Sequence, residues 1–561
     1  MRMNGARALL ESLKEENVQI AFGYPGGVVL KLYDEVYKMK FPHILTGHEQ
    51  GAVHAADGYA RASGKVGVVF ATSGPGAANL ITGIATANMD SVPLVCITGQ
   101  VANHAIGKDS FQEVDVSGIT TPITKHNYLI KNANDIPRVI KEAFFIARTG
   151  RPGPVVIDIA ADVFNTEIDF SYPSTLHLPG YSGKYPANVQ EIEDAVKLLE
   201  QSERPLIFFG GGVITSNTSD ILREIISRLN VPVTSTLMGI GGVASGTEGY
   251  LGFAGMHGAY GANMAIQNSD LLLAIGMRFS DRVTGKVAEF APNAKKIHFD
   301  IDLAEINKNV TADLRVLGDL KETLPLFKEK IFASNVNFAE KFAPWKNSAI
   351  EKAKEHPFGF VEEGESIKPG EVIQKVGAIM GDNTIVVTDV GQHQMWAAQF
   401  AKVTRPREFL TSGGLGTMGF GLPAALGAKL AEPDKKVVLF TGDGSIMMNI
   451  QELVTAAENN IDVKVIILHN GILGMVGQWQ RLFYEHHYSA SELDYKRDFV
   501  KIAEAMGVKG VRLEKKADLE KLSEILNSKG AIVVDVIIPK EENVIPMVPG
   551  GKRLDEMVLG K

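Results

Sequence analysis

One cysteine, Cys96, is the only thiol in this 561-residue chain. It lies in the apolar run Pro93-Leu-Val-Cys-Ile97, so no disulfide framework exists and a reduced interior thiol is expected. Positive charge is also scarce. Lys and Arg number 57 against 65 Asp and Glu, a net charge of -8, which argues against holding nucleic acid through a basic face. No apolar run approaches the ~18 residues of a membrane span. Residues 1–18 mix acids and bases at helical spacing and lack the apolar centre of a signal peptide, so a cytoplasmic protein is expected. Short-period repeats and low-complexity tracts are missing too, which excludes solenoids and disordered arrays.

Glycine is plentiful, with 57 residues, and it recurs in one setting. A short β-branched run, a glycine-rich turn and a helical stretch follow each other at Gly67-Val-Val-Phe-Ala-Thr-Ser-Gly-Pro-Gly76. The same order returns at Pro205-Leu-Ile-Phe-Phe-Gly-Gly-Gly212 and at Val437-Val-Leu-Phe-Thr-Gly-Asp-Gly444. Continuous apolar strands alternating with amphipathic helices predict parallel sheets covered on both faces. The fold class is therefore α/β, with three doubly wound parallel-sheet domains at 1–171, 187–340 and 369–538 and an irregular arm at 539–561. Residues 172–186 and 341–368, rich in Pro and Gly or in mixed charge, are expected to be linkers.

The third of these turns puts a single carboxylate, Asp443, between Gly442 and Gly444 at a strand end. Glycines there let backbone amides approach an anion, and a helix amino end favours negative charge. A carboxylate at the same place disfavours a bare phosphate unless a divalent cation lies between them. Hard cations such as Mg2+ take oxygen ligands and bind through few protein groups plus phosphate oxygens. The next apolar strand, Val463-Lys-Val-Ile-Ile-Leu468, ends in His469-Asn470-Gly471. The 25 residues between Gly444 and Asn470 suffice for a crossover that sets the two turns side by side. Asp443, the Asn470 side-chain oxygen and the Ile472 carbonyl are the expected metal ligands.

Gly-Asp-Gly followed at this interval by Asn resembles the thiamine-diphosphate enzymes. That resemblance implies three domains: pyrimidine-binding, central FAD-binding and diphosphate-binding. Glu49 matches the acid set against the pyrimidine of the coenzyme. Met418 matches the apolar wedge that bends it, and the Gly416 carbonyl the acceptor for its amino group. Tyr24, Pro25, Gly26, Asn79, Gly391, Gln392, His393, Ser445 and Met475 match other coenzyme contacts. The acid and the metal site come from different subunits in this family, so a homodimer, or a homotetramer built from it, is implied.

Further stretches sharpen the resemblance to acetohydroxyacid synthases (acetolactate synthases): Gly23-Tyr-Pro-Gly-Gly27, Ser110-Phe-Gln-Glu113, Arg278-Phe-Ser-Asp-Arg282, Gly391-Gln-His-Gln-Met-Trp396 and Leu473-Gly-Met-Val-Gly-Gln-Trp-Gln480. Members decarboxylate pyruvate and join the two-carbon remainder to pyruvate or 2-ketobutyrate, in branched-chain amino-acid biosynthesis. Arg282 matches the arginine that receives the acceptor carboxylate, and Trp479 the side chain that favours the larger acceptor. Phe111 and Gln112 match lining of that same pocket. Arg138, Gly210, Gly211, Gly212, Thr236, Leu237, Met256, His257, Arg278, Arg282, Asp300 and Asp319 match positions around FAD, which has no redox task in this reaction. A small regulatory subunit is a further implied partner. Three departures stand out: Ala161 where the family has lysine, Ser280 in place of an acid, and His469 in place of an asparagine. A pyruvate oxidase with a redox-active flavin, or a catalytically weak regulatory paralogue, are the alternatives. The arm at 546–555 is expected to fold over the site.

Overall fold

The computed structural model describes residues 1–361, 364–493 and 497–560. Three six-stranded sheets, every strand pair parallel, stand in chain order. In the first, Ala21–Gly23 lies between His43–Leu45 and Gly67–Ala71, followed by Leu94–Gln100, Val155–Ala160 and His126–Ile130. The third sheet repeats that topology. Thr384–Thr388 lies between Phe409–Leu410 and Lys436–Gly442, then come Lys464–His469, Ile532–Ile537 and Lys509–Leu513. The second differs. Its first strand, Pro205–Phe209, is central, with Val233–Ser235 and Tyr250–Phe253 on one side and Leu271–Ile275, Lys295–Asp300 and Leu314–Leu317 on the other. This 3-2-1-4-5-6 order is that of dinucleotide-binding folds. The inner strands are buried over nearly their whole length, as their unbroken apolar sequences require when helices cover both faces, while edge strands such as His43–Leu45 and His126–Ile130 are only partly buried.

The first and third domains meet through two helices, Glu49–Ser63 and Gly421–Ala431. Their approach depends on missing side chains. A Cβ on Gly58 would lie 2.1 Å from the Ala424 carbonyl oxygen, and one on Gly427 would lie 1.8 Å from that of Ala55. Only glycine allows backbones this close.

One expected linker is partly a helix. Phe338–Lys354 crosses the start of the 341–368 segment and packs on the middle domain. Phe338 and Phe342 are fully buried in that domain's core, and the Trp345 indole donates to the Pro205 carbonyl at 2.9 Å. Helical spacing of Phe338, Phe342, Trp345 and Ala349 drives this, despite Pro344 inside the helix and the charge around it. The arm after 539 is held by several contacts rather than loose. Val548 and Leu554 join the middle domain's core, and Val544 that of the third domain.

Candidate active site

The third sheet reverses its strand order between Thr384–Thr388 and Lys436–Gly442. Ligands in open α/β sheets bind outside the strand ends at such a point. Asp389-Val390-Gly391 leaves one strand there and Asp443 leaves the other. Lys464–His469 pairs with the far side of Lys436–Gly442, with Leu468 opposite Gly442, so Asn470 comes out beside Asp443. The two turns are tied: the Gly471 amide donates to Asp443 Oδ2 at 3.0 Å. Asn470 is oriented at both ends. Its Oδ1 accepts from the Ile472 amide at 3.2 Å, and its Nδ2 donates to Gln392 Oε1 at 3.3 Å. Asp443, Asn470 and Ile472 all line one small cavity with Gln392, His393, Gly442, Gly444 and Ser445. The Ser445 hydroxyl donates to the Val390 carbonyl at 2.9 Å and closes the rim.

Burial pushes the Asp443 carboxyl up, against the nearby His469 and the backbone donors. A cation at its oxygens would offset that cost. His469 bridges two acids: its Nδ1 is 2.9 Å from Asp535, and its Nε2 is 3.7 Å from Asp443. Burial opposes its charge, yet Asp535 and Asp443 together raise its pKa.

The donor set suits Mg2+. Among the described residues, no three His, Cys, Asp or Glu side chains cluster to hold a metal. A carboxylate, an amide oxygen and a carbonyl instead make an all-oxygen set that phosphate oxygens complete. Missing Cβ atoms let His393 and Gln392 close in on the turns that line the cavity. At Gly442 one would lie 2.8 Å from His393 Nδ1, and at Gly474 one would lie 2.1 Å from Gln392 Oε1. His393 Nε2 is buried with no partner among the described residues, and burial lowers its pKa to about 3, so the ring is neutral. An unpartnered ring nitrogen on a residue of this lining leaves a hydrogen-bonding group for a ligand.

Val390, Gly391, Met418, Met475 and Val476 also line a second cavity of about 1380 Å³. Gly416, at φ +69°, Trp479 and Arg282 lie on its wall. Arg282 is 64 % exposed; it approaches Asp281 at 4.0 Å and donates to the Met256 sulfur at 3.6 Å, contacts weak enough to leave its guanidinium able to take a carboxylate. Buried acids fix the loop at 413–418. The Gly413 and Gly414 amides donate to Asp90 at 3.1 and 2.7 Å, and Arg61 joins Asp90 to Asp57.

The same cavity runs over the switch point of the middle sheet, past Gly211, Gly212, Thr236, Leu237, Met256, His257, Arg278, Asp300 and Asp319. The approach to the backbone is close, since a Cβ on Gly212 would lie 2.8 Å from the Gly276 Cα. His257 Nδ1 is buried on this wall with no partner among the described residues. Volume, open backbone and an orphaned polar atom all suit a dinucleotide such as FAD.

Two expected residues are elsewhere. Arg138 is half-exposed, paired with Asp135 and Glu142 on the outward stripe of the helix Ile136–Arg148. Arg148 and Arg151 reach the cavity instead, and Arg151 also meets Asp302 and Glu305 across the domain boundary. Sequence order alone does not tell which arginine a helix turns inward; the Gly150-Arg-Pro-Gly153 turn was the available signal. Gly210 lies beneath the wall, where its Cβ would strike Met277 at 2.6 Å. Gly276, missed from sequence, lines the cavity at φ +58° just after an apolar strand.

A third group stands apart from both cavities. Glu49 is buried at the start of its helix, and the Asn79 amide donates to it at 3.0 Å. Gly76 lies against its other oxygen. Tyr24, Pro25 and Gly26 form the adjoining turn, with the Tyr24 amide on the Phe70 carbonyl. Phe111 and Gln112 belong with this group, because the Gln112 carbonyl rests on Gly74. Within one chain Phe111 and Gln112 do not line the cavity on which Arg282 and Trp479 lie, although the first domain reaches that cavity elsewhere, through Arg61, Asp90 and Arg151.

Known proteins bear on this arrangement. Residues 3–119 match the model of the thiamine pyrophosphate enzyme N-terminal TPP binding domain, 192–326 that of the central domain, and 389–536 that of the C-terminal TPP binding domain. The acetolactate synthase large subunit of Corynebacterium glutamicum is 46 % identical over 98 % of this chain and 89 % of its own length. The chain belongs to the acetolactate synthase family. Members from Lactococcus lactis (45 %, covering 99 % of this chain and 96 % of the relative) and Haemophilus influenzae (44 %, covering 100 % and 99 %) agree. The two TPP binding domain models support thiamine diphosphate as the coenzyme of this chain. Among the described residues, no helix is long and apolar enough to cross a membrane.

Proposed function

We infer that this protein is the catalytic chain of an acetolactate synthase, acting on pyruvate with pyruvate or 2-ketobutyrate as acceptor. The observation that carries this is the convergence of Asp443 and Asn470 on one cavity that continues, past Met418, to Arg282 and Trp479. Thiamine diphosphate, when bound, supplies the carbon that attacks a keto acid and holds the charge left by decarboxylation. Asp443, Asn470 and Ile472 would hold Mg2+ against its diphosphate. Met418 and Gly416, on a loop fixed by Asp90, would shape its bend. Glu49, held by Asn79, would keep a proton at the coenzyme's ring nitrogen. Arg282 would receive the acceptor carboxylate in two-point fashion, and Trp479 would measure the acceptor's alkyl group. FAD would fill the wide cavity without changing oxidation state.

Glu49, Phe111 and Gln112 stand apart from the cavities of their own chain. A complete site therefore calls for a second copy, and we propose a homodimer, alone or within a homotetramer. The relatives' designation as large subunits motivates a search for a small regulatory companion by co-purification. The activity test is direct. The purified protein, supplied with thiamine diphosphate, Mg2+, FAD and pyruvate, should release carbon dioxide and acetolactate. With 2-ketobutyrate added, 2-aceto-2-hydroxybutyrate should form as well. Pyruvate consumption coupled to flavin reduction, without acetolactate, would refute the reading.

A further inference from the structure

The loop before the helix Val116–Thr120 is wound around one of its own side chains. The amides of Gly107, Lys108 and Ser110 all donate to the Glu113 carboxylate, the latter two at 3.3 and 3.0 Å. The Glu113 amide returns to the Ser110 carbonyl at 2.9 Å, and the Ser110 hydroxyl donates to the Ala105 carbonyl at 2.9 Å. Successive amides converging on one anion form a nest, here filled from within the chain. The winding has a conformational cost. Gly107, Asp109 and Gln112 have φ of +78°, +53° and +60°, and the two non-glycine residues hold a region that L-residues avoid. Such a backbone persists where its surroundings over-determine it. The Gly107 amide, then that of Ser110, holds the Glu113 carboxyl below the usual range, as expected when an anion gathers several N–H donors.

The consequence lies at the loop's crest. Phe111 is thrown outward, 88 % exposed, and the Gln112 backbone is pressed onto Gly74, whose Cβ would lie 2.7 Å from the Gln112 carbonyl oxygen. That turn continues to Gly76, against Glu49. From below, the Gln100 amide donates to the Val114 carbonyl at 2.8 Å and fixes the loop's other end. Loop, turn and acid thus form one rigid edge, and one carboxylate closes it.

We propose that Glu113 is a positioning residue for acceptor selection: it winds the 107–112 loop and so sets where Phe111 and Gln112 meet the acceptor keto acid. The inference rests on the acetolactate synthase reading. It makes the loop a gauge of the second substrate rather than part of the machinery that activates the coenzyme. Glu113→Gln removes the charge that three amides seek. Glu113→Asp keeps the charge on a stem one methylene too short to reach all three.

The test uses the holoenzyme with thiamine diphosphate, Mg2+ and FAD. In both variants, amide exchange at 107–110 should speed up by about tenfold or more, while the rest of the first domain keeps its protection. In competition between pyruvate and 2-ketobutyrate, the product ratio should shift by about threefold or more. Half-saturating thiamine diphosphate should move by less than about twofold, a split that general loosening would not give. Unchanged exchange in both variants would overturn the proposal, as would a loosened loop with an unchanged product ratio. Wild-type protein that makes no acetolactate would instead refute the functional reading beneath it.

Discussion

Asp158 shows how a single buried group ties stability to pH. It is 2 % exposed, and Thr98 and Gln100 donate to its two oxygens at 2.7 and 2.9 Å. Burial nonetheless raises its pKa from 3.8 to about 7. A carboxyl raised in the fold contributes stability that is complete below its unfolded value near 4 and is lost as pH rises through about 7. Wild type should therefore melt lower at about pH 8 than at about pH 5 relative to Asp158→Asn, which does not titrate. Paired thermal melts check this, and a gap independent of pH would contradict it. Two other residues separate binding from chemistry. Asp443→Asn should abolish the thermal upshift that thiamine diphosphate with Mg2+ gives the wild type. Glu49→Gln should keep much of that upshift but lose about 10²–10⁴-fold in turnover, the range for a positioned acid–base group. Melting with and without coenzyme, beside a pyruvate assay, distinguishes them.

At the scale of elements, two glycines in helices have opposite prospects. Gly427 lies where Gly421–Ala431 crosses Glu49–Ser63, and a Cβ there would penetrate the Ala55 carbonyl at 1.8 Å. Gly427→Ala should destabilise by about 1–3 kcal/mol or more, because neither backbone can yield alone. Gly377, inside Pro369–Met380, has no atom of the described residues within 4 Å of its would-be Cβ other than its own helix backbone and neighbours. Gly377→Ala should stabilise by up to ~1 kcal/mol through helix propensity. Denaturant titrations of the pair give the two signs, and equal effects would mean that the helix contact is softer than it looks. The same scale explains the helix Phe338–Lys354. Charge, Pro344 and a nearby glycine suggest a linker when counted by composition, whereas four apolar residues at helical spacing describe a face that needs a partner. Composition averages over a window, while packing selects one side of it.

The whole molecule explains why one chain carries separated fragments of a site. Glu49 is fixed against Asn79 in the first domain and Asp443 against Gly471 in the third, and neither cavity includes Glu49 among its lining. If two copies complete each other's sites, Glu49→Gln and Asp443→Asn are each inactive alone but complementary. Equal co-expression should make half the dimers mixed, each with one intact site, and restore about a quarter of wild-type turnover. Activity no greater than the sum of the separate variants would exclude shared sites.

Much of this was legible from residues close in sequence. The alternation of apolar strands and helices dictates parallel sheets, because a strand buried on both faces carries no polar alternation. Asp443 and Asn470 were legible for the same reason: each ends a strand, and a crossover of that length sets parallel strand ends side by side. Tertiary packing alone decided which arginine borders the wide cavity, since Arg138 and Arg151 differ by the rotation of a helix and the course of a turn. It also decided that the Gln112 backbone, on the loop that Glu113 winds, comes to rest against Gly74. Those facts depend on where distant segments come to rest, and local pattern carries no information about distances through space.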